Sequence, residues 1–149
     1  MNYYEINTNT LAIIPISDKI SRVIEINDEY MINKSPLEII DHSCKYFGSS
    51  YKGRYDGANA VLGYGYKTPI YIEEVSNIIF FPTESAKSNT CCWISYSQIE
   101  KIYSINDNAC IKFYNGYELF IDISMFCLKN QFIRSMLLKE RMKKRRKIS

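Results

Sequence analysis

The chain has 149 residues, of which 46% are hydrophobic and 23% are charged, with only six glycines and four prolines. This length corresponds to one globular domain, and the composition excludes a disordered, collagen-like or low-complexity chain. No apolar run approaches the ~20 residues of a membrane span, and the N-terminal residues lack the basic and apolar regions of an export signal. The sequence therefore predicts a cytoplasmic protein with no membrane partner.

The first part of the chain reads as strands followed by a helix. Strands are predicted at Leu11–Ile16, Arg22–Ile26 and Glu29–Ile32, with a tight turn between the last two. Ser35-Pro36-Leu37-Glu38 has the pattern of a capping box with proline at the first helical position. We therefore predict a helix near residues 36–47, ended by Gly48 and followed by a loop at Ser49–Arg54.

The middle of the chain is less regular. Residues 55–69 show no clear period, and Asp56–Leu62 fits a short helical turn at most. A polar loop is predicted at residues 83–90. Two short strands are predicted before it, at Ile70–Ile72 and Ile78–Phe81, and two after it, at Cys92–Ser95 and Ile99–Ile105.

A hairpin is predicted from Ala109 to Ile123, around Asn115-Gly116. A two-residue turn would place Phe113 opposite Glu118 and mix apolar and charged side chains on one face. A three-residue loop with Gly116 left-handed in a bulge gives a cleaner register, with Lys112 opposite Glu118. We therefore expect the bulged form, with one apolar face made of Ala109, Ile111, Phe113, Tyr117, Leu119 and Ile121.

A final helix is predicted near residues 125–142, capped by Ser124. At about 100° per residue, half of its circumference is apolar and is expected to pack against the core. That half comprises Met125, Phe126, Leu128, Phe132, Ile133, Met136 and Leu137. The other half is expected to face solvent, with Asn130, Arg134, Arg141 and Arg145 clustered on it. Because no apolar anchor follows Met142 before Ile148, the terminus is expected to fray.

Antiparallel strands with separate helices predict an α+β fold with a mostly antiparallel β-sheet. The helices near residues 36–47 and 125–142 belong to one domain, residues 1–142, and residues 143–149 form a basic C-terminal tail.

The formal charge of +3 hides an asymmetry. Residues 1–128 hold ten Lys/Arg against fifteen Asp/Glu, a balance of −5, whereas residues 129–149 hold nine against one, a balance of +8. A second region, from His42 to Tyr55, contains no acid but includes Lys45, Lys52 and Arg54. Clustered cations favour a polyanionic partner, although a basic tail is also compatible with a solubilising role.

Catalytic and metal-binding patterns are weak. His42 and Cys44 lie two residues apart on the predicted helix and therefore point in different directions, so they do not form a nucleophile–base pair. No Cys-x-x-Cys occurs among the five cysteines, which are expected to be reduced thiols. We predict a protein without catalytic activity, metal or cofactor, in which Trp93 anchors the core.

The segment from Ser43 to Arg54 closely resembles the signature of the ComK family of competence transcription factors. Further matches follow in the same order along the chain, at Lys67–Ile70, Phe81–Thr83, Cys91–Ser95, Asn115-Gly116, and Asn130-Gln131 with Arg134. The resemblance covers roughly residues 3–138, which is most of the chain.

The resemblance implies a transcriptional activator of DNA-uptake genes. Family members recognise paired A/T-rich boxes in double-stranded DNA, largely through the minor groove, as homodimers that assemble into tetramers on a promoter. An adaptor protein that delivers the factor to a Clp protease is a further implied partner. The protein is accordingly expected to be associated with the nucleoid.

The residues expected to contact DNA lie in the signature segment and in the final helix with its tail. They are Lys45, Ser49, Ser50, Tyr51, Lys52, Arg54, Asn130, Arg134, Arg141, Lys143, Lys144 and Arg145. The narrow, negative minor groove of A/T sequence favours inserted Lys or Arg. Our hypothesis is that the loop specifies the sequence and the helix and tail bind phosphates.

Two alternatives remain open from the sequence. One is suggested by Ile94–Ser124, an apolar hairpin with an Asn-Gly turn and a Ser-capped end. This stretch loosely resembles a LytTR-type output domain, which reads the major groove. A non-DNA interaction module that uses the basic tail is the other alternative.

Overall fold

The computed structural model describes residues 1–147. The strands are β1 (Thr10–Ser17), β2 (Ile20–Glu25), β3 (Glu29–Ile32), β4 (Ile70–Glu73), β5 (Ile78–Pro82), β6 (Trp93–Ser95), β7 (Ile99–Ile105), β8 (Asn108–Phe113) and β9 (Glu118–Ile121). The α-helices are α1 (Pro36–Tyr46), α2 (Tyr51–Leu62) and α3 (Met125–Arg146). All strand pairs are antiparallel, so the predicted α+β class is confirmed.

The strands form two sheets. A six-stranded sheet has the order β3-β2-β1-β6-β5-β4, and a three-stranded sheet has the order β7-β8-β9. Both faces of the larger sheet are covered, because one hydrophobic cluster joins it to α1 and α2 and a second joins it to the smaller sheet. Trp93 is fully buried in the first cluster, which confirms its predicted role as a core anchor.

Helix α1 begins and ends as the sequence predicts. The Ser35 hydroxyl accepts a hydrogen bond from the backbone N–H of Glu38, and the Glu38 carboxylate accepts one from the N–H of Ser35. Gly48, with a φ of 90°, follows the last helical turn. The reciprocal cap satisfies two backbone donors that would otherwise have no partner, so it fixes the start of the helix.

The β8–β9 hairpin has the predicted bulged register. Lys112 lies opposite Glu118 and Ala109 opposite Ile121. Gly116 has a φ of 93°, and its N–H donates to the carbonyl of Phe113. Glycine adopts this left-handed backbone without the steric cost of a Cβ, which explains why the bulge occurs there.

The predicted loop at Ser49–Arg54 is wrong for most of its length, because residues 51–54 form the first turn of helix α2. Ser50 is the N-cap, with its hydroxyl accepting from the N–H of Gly53, and the N–H of Tyr51 donates to the Asp41 carboxylate. The short helical turn expected at Asp56–Leu62 is therefore the second half of a 12-residue helix. Two glycines within it weaken the sequence signal for a helix.

The predicted packing face of α3 is also wrong in large part. Met125, Leu128 and Phe132 pack against the core, but Phe126, Ile133, Met136 and Leu137 are exposed. The buried side is instead formed by Leu128, Gln131, Arg134, Ser135 and Leu138. The helix lies this way because Gln131 donates hydrogen bonds to the carbonyls of Lys67 and Pro82, so buried backbone acceptors are satisfied.

Helix α3 continues to Arg146, so the expected fraying beyond Met142 is wrong for residues 143–146. The last turn carries Lys143, Lys144, Arg145 and Arg146, and cations at a helix C-terminus are favoured by the helix dipole. The final two residues, Ile148 and Ser149, lie outside the described part of the chain. No helix within residues 1–147 is both long enough and apolar enough to cross a membrane.

Candidate nucleic-acid interface

Three of the predicted DNA-binding cations each pair with a carboxylate. Lys45 lies 3.0 Å from Asp41, Lys52 lies 3.0 Å from Asp56, and the Arg54 guanidinium lies 2.9 Å from the Glu74 carboxylate. The side chains of Lys45 and Lys52 are 64% and 84% exposed, whereas that of Arg54 is 18% exposed. The Arg54 guanidinium therefore does not project freely from the surface but is held against Glu74.

The hydroxyl residues of the signature segment have structural contacts. Ser50 caps α2, and the backbone N–H of Ser49 donates to the carbonyl of Cys44. Tyr51 is half-buried with its ring edge-on to Trp93, at 6.1 Å between ring centroids, and burial raises the pKa of its hydroxyl to about 12. The segment thus comprises the end of α1, a tight connection at residues 47–50 and the first turn of α2.

Arg134 does not face solvent as predicted. Its side chain is 6% exposed, and its guanidinium donates to the Tyr64 hydroxyl, the Lys67 carbonyl and the Gln131 side chain. The guanidinium also lies over the Tyr64 ring, 4.5 Å from the centroid. Arg134 therefore holds the segment after α2 against α3, and its burial argues against a direct contact with DNA.

Replacing Arg134 with alanine should lower the free energy of unfolding by about 2–3 kcal/mol, because hydrogen bonds from a buried charged group are lost. Asn130 lies on the exposed side of the same helix, so Asn130→Ala should change the free energy of unfolding by less than about 0.5 kcal/mol. Urea unfolding of both variants measures the difference. Native stability in Arg134→Ala would contradict the structural role assigned to this residue.

Four cations near the end of α3 differ from those near α2 in having no carboxylate partner among the described residues. Arg141, Lys143, Lys144 and Arg145 are exposed, and within residues 1–147 none forms an ion pair with a carboxylate. Arg141 donates to the carbonyls of Val61 and Leu62, at 3.2 and 3.4 Å, and so stabilises the C-terminal end of α2. This contact holds the basic end of α3 beside α2.

A cleft of about 350 Å³ separates the two helices. We call it the α2–α3 cleft; its lining includes Ser49, Gly53, Arg54, Gly57, Glu74 and Arg145. The Arg54–Glu74 pair lies within it, and Gly53 and Gly57 expose the backbone of α2 at its edge. Sequence reasoning missed Gly57, and the only signal was an unexplained glycine in a segment that lacked a clear period.

His42 and Cys44, the two residues of α1 considered as a nucleophile–base pair, have separate settings. The His42 ring nitrogen lies 2.7 Å from the Glu5 carboxylate, and Cys44 is buried in the core. Burial raises the pKa of the Cys44 thiol to about 12, which removes the thiolate that a nucleophilic cysteine requires. Within the described residues all five cysteines are free thiols, and no three potential ligands are placed to hold a metal ion.

Comparison with known proteins assigns the chain to a family. The ComK protein family matches residues 1–147. The competence transcription factor of Bacillus subtilis (strain 168) is 35% identical over 146 residues, which cover 95% of this chain and 76% of that protein. No solved structure is significantly similar to the chain. The chain therefore belongs to the ComK family and is a transcriptional regulator of competence.

Proposed function

We propose that this chain activates DNA-uptake genes by binding A/T-rich boxes in promoter DNA, largely through the minor groove. Family membership supports the regulatory role. The structure supports a binding surface made of the exposed face of α2 and the basic end of α3.

The observation that carries the proposal is the cluster of uncompensated cations Arg141, Lys143, Lys144 and Arg145. Because no carboxylate within residues 1–147 neutralises them, they contribute a concentrated positive potential on one side of the molecule. Such a cluster binds phosphates and releases their counterions, which is the main sequence-independent source of affinity for DNA.

Helix α2 supplies a surface of small side chains beside this cluster. Lys52, Gly53, Gly57 and Ala60 are exposed, and the first turn of the helix contains no acid. Small residues allow a backbone to approach a partner closely, and the N-terminus of a helix favours anions. We therefore assign Lys52 and Ser49 to the groove and the α3 cations to the phosphates.

Arg54 has an indirect role in this proposal. Its pairing with Glu74 neutralises a carboxylate in the α2–α3 cleft, where an isolated negative charge would repel phosphate. Lys45 pairs with Asp41 as Lys52 pairs with Asp56, and both side chains remain exposed. Lys45 lies on α1 and not on α2, so we assign it only a minor part in the surface.

Groove choice is tested by methylation interference on an A/T-box duplex. Methylation of adenine N3 in the minor groove should block binding, whereas methylation of guanine N7 in the major groove should leave it unchanged. A gel shift with a scrambled duplex of the same composition is the matched control for sequence preference. Interference at guanine N7 alone would instead favour a major-groove reader of the LytTR type.

A further inference from the structure

A second cleft beside α2 is lined by aromatic and basic side chains. Its volume is about 280 Å³. We call it the tyrosine cleft; the residues that characterise its lining are Tyr51, Tyr55, Tyr66, Lys67 and Lys87. At about 100° per residue, Tyr51 and Tyr55 lie roughly 120–160° away from Gly53 and Gly57 around the axis of α2. The tyrosine cleft and the α2–α3 cleft are therefore separate surfaces.

The charge on the lining of the tyrosine cleft is entirely positive. None of the residues that line it is Asp or Glu. Within residues 1–147 neither Lys67 nor Lys87 forms an ion pair. The Lys67 ammonium lies 5.3 Å from the centroid of the Tyr66 ring, so a cation and an aromatic ring are adjacent. Such a lining favours an anionic ligand.

Lys67 has an unusual backbone conformation. Its φ is 49°, in the left-handed region that lysine adopts less readily than glycine. The Lys67 carbonyl accepts hydrogen bonds from Gln131, at 2.7 Å, and from Arg134, at 3.1 Å. These buried side chains hold the strained residue in place. Strain that the surroundings maintain in this way is concentrated at functional sites, which singles out Lys67 as a residue with a binding role.

The segment after α2, residues 63–68, is fixed against that helix. The Thr68 hydroxyl donates to the side-chain oxygen of Asn59 at 2.6 Å. A Cβ on Gly65 would lie 2.6 Å from the Asn59 amide nitrogen, so a larger residue would displace Asn59 from this contact. The cleft is therefore preformed, and a ligand loses little binding energy in ordering it.

The aromatic rings define a second property of the ligand. Tyr51 and Tyr55 are half-buried with their ring centroids 5.6 Å apart, and Tyr66 is 66% exposed. Tyrosine rings stack on other planar rings, and every nucleobase has a face that can stack. The volume of about 280 Å³ is close to the lower limit of small-molecule sites, so it suits one nucleotide rather than a longer strand.

We propose that the tyrosine cleft binds a single unpaired nucleotide, with its base against the tyrosine rings and its phosphate at Lys67 and Lys87. The ligand is a free nucleotide or an unpaired nucleotide within a single strand, because the two share this chemistry. The inference does not rest on the proposed duplex binding. Bases in a duplex are paired and stacked, and the duplex contacts assigned under the proposed function involve none of the residues that characterise the cleft.

Isothermal titration calorimetry of the full chain with adenosine monophosphate (AMP) tests the proposal. The native protein should bind one AMP per chain, about tenfold more tightly than adenosine, which lacks the phosphate. Tyr66→Ala should weaken AMP binding by about fivefold to 150-fold, because stacking is lost. Tyr114→Ala is the matched control, since Tyr114 is 65% exposed and lies outside the cleft, and it should bind AMP with native affinity.

The phosphate contact has its own variants. Replacing Lys67 and Lys87 together with glutamine should lower the affinity for AMP to that for adenosine. Lys101→Gln is the matched control, because the Lys101 ammonium lies 5.3 Å from the Tyr103 ring centroid, at the same distance as in the Lys67–Tyr66 pair but outside the cleft. Lys101→Gln should retain the native preference for AMP.

A single-stranded oligothymidylate added to the AMP complex identifies the source of the nucleotide. Displacement of AMP supports the proposal with an unpaired nucleotide of a strand as ligand, and retention of AMP supports it with a free nucleotide. Absence of saturable AMP binding to the native chain, equal affinities for AMP and adenosine, or native AMP affinity in Tyr66→Ala would overturn the proposal.

Discussion

Replacing Lys143, Lys144 and Arg145 together with glutamine should weaken binding to all duplexes, A/T-box and scrambled alike. These side chains are exposed and have no carboxylate partner within residues 1–147, so we assign them to phosphates, which carry no sequence information. At about 0.9 per lost contact, the slope of log affinity against log salt should flatten by about 2.7. The affinity near physiological salt should fall on the order of 100-fold.

Fluorescence anisotropy across a salt titration measures both quantities, and glutamine keeps α3 helical because it is a good helix former. The matched control removes three cations elsewhere, at Lys19, Lys87 and Lys101, which lie outside the α2–α3 surface. This control has the same net charge as the test variant. If both variants lost the same affinity, the effect would come from total charge, and the local binding surface would be refuted.

Short-range features of the fold are predictable from the sequence. The capping box at Ser35–Glu38 and the bulged turn at Gly116 each depend on residues a few positions apart, so both are readable without tertiary information. The β7 and β3 strands also match their predicted bounds, because their β-branched residues and turn signals are local.

The orientation of α3 is not predictable in the same way. Periodicity selects its most apolar half for burial, yet the structure buries Gln131 and Arg134. These polar side chains are stable there because they satisfy the carbonyls of Lys67 and Pro82, which lie far away in the sequence. Hydrophobic patterning contains no information about such long-range hydrogen bonds.

The candidate site shows the same limit. Arg54 looks uncompensated in the acid-free stretch from His42 to Tyr55, but Glu74 lies 20 residues beyond it in the sequence and pairs with it in the fold. Sequence proximity therefore misjudges which cations are available to a partner. The basic end of the chain is identifiable from the sequence because seven of the nine residues 139–147 are Lys or Arg. The single acid among them, Glu140, cannot neutralise seven cations.

Replacing Gly57 with alanine should make the protein more stable and a weaker DNA binder. Gly57 lies within α2 and is exposed, and a Cβ built there meets no atom within 4 Å. Alanine is favoured over glycine in a helix, so the free energy of unfolding should rise by about 0.5–1 kcal/mol. Folding therefore gives no reason for glycine at this position, and our explanation is that DNA approaches the backbone there.

A methyl group in that contact should cost about 1–3 kcal/mol, by analogy with overpacked cores, which corresponds to a loss of roughly fivefold to 150-fold in affinity. Thermal unfolding and anisotropy on the same samples measure the two effects. Ala60→Gly is the inverse control on the same exposed side of α2. It should lower stability by a similar amount without weakening binding, because it removes atoms from the surface. A Gly57→Ala variant that binds DNA as tightly as the native chain would place the DNA elsewhere.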